Sequence, residues 1–128
     1  MSKLRTFAFI FIVGFLLNLL WENLHSFLYV SYMGGPITQF ILFKAAIFDA
    51  IVILMLAFVS QKFFVGNDFV IIFSGLAVAV AMEIWALQTA RWQYNDLMPI
   101  IPFLNIGLTP AIQLALTGWV SQKVVSKR

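Results

Sequence analysis

No cysteine occurs in the 128 residues, which excludes disulfides, thiolate metal ligands and cysteine nucleophiles. Charge is almost as scarce: 10% of residues are Asp, Glu, Lys or Arg, against about 25% in a soluble domain. There is one histidine, too few for a site built from several imidazoles. The chain is instead 62% hydrophobic, more apolar surface than a water-soluble fold of this size can cover. Lipid is the expected solvent. The net charge of +3 sits mostly near the two ends and reads as a topological signal, so no nucleic-acid partner is expected.

Four apolar segments follow one another, at roughly 6–33, 37–60, 69–90 and 102–122, each close to the ~20 residues that a span requires. The breaks carry turn chemistry: Gly34-Gly35-Pro36, Gly66-Asn67-Asp68, and a stretch around Pro99 and Pro102. The expectation is an all-α bundle of four transmembrane helices forming one domain over residues 1–128. The charged start and apolar run resemble a signal peptide. No small-residue cleavage motif follows, however, so the segment is expected to stay as the first span.

Lys3, Arg5, Lys62, Lys123, Lys127 and Arg128 flank the spans on one side. Only Arg91 flanks the other, with Lys44 inside the second span. The positive-inside rule then places both termini in the cytoplasm of a cell membrane, with Trp85, Trp92 and Tyr94 at the outer interface. The fourth segment is interrupted by Pro99, Pro102, Gly107 and Pro110. Thr109-Pro110 has the form of a helix start, which makes residues 99–109 a loop dipping into the membrane. The alternative is a continuous helix kinked at Pro110.

Chemistry concentrates on the first segment. Asn18, Glu22, His25, Tyr29 and Tyr32 fall on one helix face among apolar neighbours. Such a stripe either glues helices together or lines a site. Glu22 and Asp49 lie roughly 15–18 Å from the outer helix ends, and His25, Lys44 and Glu83 roughly 10 Å, at about 1.5 Å of rise per residue. Burying Glu22, Lys44, Asp49 and Glu83 costs on the order of 10 kcal/mol on insertion scales, comparable with the stability of a whole domain. Intramembrane ionisable groups of this kind are by default a functional site.

Glu22 and His25 are the candidate acid–base pair, with Asp49 and Glu83 completing the catalytic set. Asn18, Tyr29, Arg91, Tyr94, Asn105 and Gln113 are the candidate ligand-binding residues. Glu22-x-x-His25 suggests a di-iron bundle, but such a bundle needs a second histidine. A single metal at Glu22, His25, Asp49 and Glu83 is not the favoured reading, and the cofactor is left unassigned. Ala77, Ala79, Ala81, Ala86 and Ala90 are expected to permit close helix packing.

With these residues in view, the chain resembles a family of small bacterial four-helix membrane proteins. The resemblance rests on Trp21-Glu22 with Leu28-Tyr29, on Asp49, on Glu83 with Trp85, and on Trp92-Gln-Tyr94…Met98-Pro99…Pro102…Gly107-Leu108…Pro110…Gln113. It departs at Phe27 and Phe48, where proline and glycine are expected. It implies membrane location and a shared site, not a reaction.

The expected function is a one-sided site near the outer leaflet that binds or acts on a small or lipid-like molecule. A small proton-coupled transporter is the runner-up, disfavoured because the inner halves of the helices are nearly free of ionisable groups. A non-catalytic subunit of a larger complex is the third reading. Whether the chain is an enzyme, and its oligomeric state, are left open.

Overall fold

The computed structural model describes residues 2–126; Lys127 and Arg128, counted above among the flanking cations, lie outside them. The chain is mostly helical. Its long elements are α1 (Lys3–His25), α2 (Gln39–Phe64), α3 (Asp68–Gln88) and α4 (Leu108–Ser126). Four short strands complete it: β1 (Tyr29–Tyr32), β2 (Trp92–Tyr94), β3 (Ile100–Ile101) and β4 (Ile106–Gly107). Three helices, α1, α2 and α3, are long and apolar enough to cross a membrane. The chain is a membrane protein on that evidence. The fourth helix does not meet the same measure.

Caps set the helix starts. The Ser2 side chain accepts from the Arg5 N–H, Thr38 from Ile41 and Asn67 from Phe69, each satisfying a donor that has no intrahelical partner. The α2–α3 turn comes where expected, at Val65 and Gly66, both with left-handed φ (55° and 71°).

The first segment is not helical to Met33. Its helix ends at His25, passes through one 3₁₀ turn (Ser26–Leu28) and becomes β1. Pairing with β2 overrides local propensity there: Tyr29 stands opposite Tyr94, and Tyr32 opposite Trp92. The Leu28 carbonyl accepts from the Asn95 N–H. Tyr29 and Tyr32 therefore do not continue the helical stripe. The fourth segment also changes. Residues 100–107 form the antiparallel β3–β4 pair, and the helix begins at Leu108, so the continuous kinked helix is set aside.

Helix α1 packs against α2 and α4, and α3 against α4, while α2 and α3 touch each other sparingly. The strands gather at the end of the bundle where α1 and α3 finish and α4 starts, here called the cap. Away from the cap, Ile10, Ile53, Ala57, Ile71 and Leu114 pack into a closed apolar core. Helix α4 is the innermost, with Ala111, Gln113, Ala115, Thr117, Gly118 and Ser121 among its buried residues.

The close approach of α3 to α4 depends on Gly75. A Cβ there would lie 2.9 Å from the Ala115 backbone. Of the expected packing alanines, Ala79 and Ala86 face inward, whereas Ala77, Ala81 and Ala90 are exposed.

Candidate functional site

Glu22 and His25 are three residues apart on α1, so both side chains leave the same helix face. His25 Nε2 lies 3.2 Å from Glu22 Oε2, and its Nδ1 lies 3.0 Å from the Thr109 hydroxyl at the start of α4. With Nε2 protonated, the ring donates to Glu22 and accepts from Thr109. When both nitrogens carry protons, Thr109 accepts and turns its own hydrogen to Met98 Sδ, 3.4 Å away. The arrangement accommodates either charge state of the imidazole.

Gln113 joins three helices. Its amide nitrogen lies 2.9 Å from Asn18 Oδ1, 2.9 Å from Glu22 Oε1 and 2.9 Å from Asp49 Oδ2. Asn18, fully buried, donates to the Gly14 carbonyl (2.7 Å) and to Thr117 (3.1 Å). Glu22 and Asp49 are thus linked through the same Gln113 amide nitrogen.

Glu83 belongs to a separate set. Its Oε1 accepts from the Tyr94 hydroxyl at 2.5 Å and from Trp92 Nε1 at 3.3 Å. The same Tyr94 oxygen accepts from the Gly107 N–H at 3.0 Å. Glu83 thus ties the tip of α3 to β2 and β4. Burial, reinforced by the hydrogen bond to Glu83, holds the Tyr94 phenol well above its usual range, so it remains a donor.

Glu22, Asp49 and Glu83 line one half-enclosed cavity of about 450 Å³ between α2 and α3, on the cap side of the core. Ile41, Leu42, Ala45, Phe48, Met82 and Leu114 form its apolar wall, and Tyr29, Tyr32, Trp85 and Trp92 its aromatic one. Lys44 and Arg91 also line it. Tyr29 and Tyr32 reach the cavity from β1, not from a helix face. Asn18, His25 and Tyr94 stand behind the wall and hold its carboxylates.

Asn105 is not at the site. It is exposed between β3 and β4 with a left-handed φ of 57°, a conformation that asparagine tolerates better than most residues. Among the described residues, no group of three or more His, Asp or Glu side chains is arranged to hold a metal ion. His25 is engaged by Glu22 and Thr109, and Glu83 by Tyr94 and Trp92, so the four residues do not converge on one point.

Thr117 and Trp92 are network members that the sequence reading did not assign. Gln113, Thr117 and Ser121 recur every four residues on α4 and are all buried, a polar stripe that was there to be read. The Trp92 bond to Glu83 depends on a turn between α3 and β2 that has no comparable periodicity. Comparison with known proteins finds no family model that matches the chain, and no curated protein or solved structure similar to it.

Proposed function

We propose that the chain is a four-span membrane protein whose cavity opens to lipid between α2 and α3 and binds a small amphiphilic molecule. In this reading Glu22 and His25 are an acid–base pair that can act on the ligand. The observation that carries it is the placement of three carboxyl groups on the polar side of one 450 Å³ cavity whose remaining walls are apolar and aromatic. Ligand sites combine those features: a mostly apolar enclosure of about 300–1,000 Å³ with a few convergent polar groups.

Two further points support the membrane arrangement. Helix α4 has 19 residues, a length of roughly 28 Å, close to the hydrocarbon thickness of about 30 Å. Its neighbours shield it from lipid, so it can span without the apolar surface that exposed helices need. Lys3, Arg5, Lys62 and Lys123 all fall at the end away from the cap. That charge distribution supports a cytoplasmic uncapped end and a cavity open to the outer leaflet. The closed core beyond the cavity supports a one-sided site over a carrier.

The test uses a diacylglycerol with a diazirine on its acyl chain, incorporated with the protein into phosphatidylcholine nanodiscs. Light should attach the probe to Phe48 and Met82 in the cavity as well as to Leu16 on the lipid face. Ala45→Trp, which fills the cavity, should abolish the first two adducts and spare the third. Adducts confined to lipid-facing residues in both proteins would reject the proposal.

A further inference from the structure

We infer that the cavity selects a phospholipid with a primary amine in its headgroup, the phosphate lying between Lys44 and Arg91 and the amine turned to Glu22 and Asp49. This inference rests on the proposed function and names its ligand class.

The cations and carboxylates of the cavity do not pair with one another. Glu22, Lys44, Asp49, Glu83 and Arg91 line the same cavity. Yet the ion pairs among the described residues are His25–Glu22 and Lys123–Asp68, and neither joins a cavity cation to a cavity carboxylate. Glu22 and Asp49 lie deeper along α1 and α2 than Lys44, near the start of α2, and Arg91, just beyond α3, whereas Glu83 lies near the depth of Lys44 and is held by Tyr94 and Trp92. Holding opposite charges apart in a low-dielectric cavity is unfavourable, and a molecule carrying both signs relieves it. A neutral ligand leaves the cations unmatched. A simple anion meets three carboxyl groups, and a simple cation meets Lys44 and Arg91.

The cations are presented for capture. Lys44 Nζ lies 4.9 Å from the Phe40 ring centroid and Arg91 Cζ 4.7 Å from that of Trp85. An aromatic face holds a guanidinium without using its in-plane N–H donors, and that planar fork matches the oxygens of a phosphate. The inner wall complements the other end of a headgroup. Glu22 and Asp49 offer more acceptor positions than one Gln113 amide and one imidazole can fill, and a primary ammonium supplies three donors. Lys44 and Asp49 are separated by roughly 7.5 Å along α2 at 1.5 Å per residue, a span that a compact headgroup covers. The apolar wall of Ile41, Ala45, Phe48 and Met82 then receives the first acyl carbons, and the rest of the chains remain in the bilayer.

The test compares three lipids with the same diazirine-bearing acyl chains in phosphatidylcholine nanodiscs: phosphatidylethanolamine, phosphatidylglycerol and diacylglycerol. Phosphatidylethanolamine should label Phe48 and Met82 at least about tenfold more strongly than diacylglycerol, the scale of charge-assisted hydrogen bonds. Phosphatidylglycerol should fall between them. Lys44→Gln with Arg91→Gln should reduce phosphatidylethanolamine to the diacylglycerol level, and Arg91→Lys should restore part of the difference. Asp49→Asn should bring phosphatidylethanolamine down to phosphatidylglycerol. Labelling of Leu16 in every variant reports that the protein is folded and embedded. Equal cavity labelling by all three lipids, or a preference for phosphatidylglycerol, overturns this inference and leaves the cavity as a binding site. Absence of cavity adducts from every probe overturns the proposed function along with it.

Discussion

Gln113 has two amide protons and three oxygen acceptors at 2.9 Å, so it is the residue on which the buried network turns. Replacing it with leucine leaves Asn18, Glu22 and Asp49 short of a donor. Gln113→Leu should destabilise the protein by about 3 kcal/mol, the cost of stranding buried acceptors, read as a lower melting temperature in detergent. Glu22→Met with His25→Leu should behave differently, because exchanging a buried polar pair for apolar groups of similar shape is often neutral or stabilising. That double variant should melt within a few degrees of the parent and lose cavity labelling. A large loss of stability with labelling intact would make the pair helix glue. Helical spacing made Asn18, Glu22 and His25 legible together, because all three lie on one regular helix. Tyr29 and Tyr32 reach the same cavity by strand pairing, and Asn105 is a turn residue. No periodicity distinguishes those cases.

Helix α4 is where composition misleads most. It is the most enclosed helix and the least apolar, because its neighbours rather than lipid surround it. Its backbone meets α3 at Gly75, whose missing side chain is a packing requirement. Gly75→Val should cost about 1–3 kcal/mol by overpacking, whereas Ala77→Val, on the exposed side of the same helix, should change stability by less than about 0.5 kcal/mol. Thermal melts of the two variants side by side decide this. The alanines were visible in the sequence, but which of them face inward depends on where α4 lies. The cap was the least legible element. Its β1–β2 pair joins segments far apart in the chain while β3–β4 is a local pair, and Tyr94 fastens the two to Glu83 and to the Gly107 N–H. Tyr94→Phe removes one donor and one acceptor, an expected loss of about 1–3 kcal/mol. Faster hydrogen exchange at the Gly107 amide would locate that loss, and unchanged exchange would show that the cap holds without Tyr94.

For the molecule as a whole, the low charge and long apolar runs were enough to indicate a membrane protein, and the turn residues marked the α1–α2 and α2–α3 breaks. The cavity was not legible as a shape. Depth along each helix suggested that Glu22, Asp49 and Glu83 could meet, and in the structure they line one space while bonding in two separate sets. The proposed orientation rests on the flanking charges and is open to test: reporter fusions after Ser126 and in the Gly66 turn should read cytoplasmic, and one at Asp96 external, with the reverse pattern moving the cavity to the inner leaflet. The central claim is that the gap between α2 and α3 is a ligand site and not a packing defect. The most direct measurement is an experimental density map of the protein in nanodiscs containing phosphatidylethanolamine. It should show elongated density entering between α2 and α3, its polar end within reach of Lys44, Arg91, Glu22 and Asp49. A map in which α2 and α3 close against each other, with Phe48 and Met82 in contact and no density between them, would contradict the account.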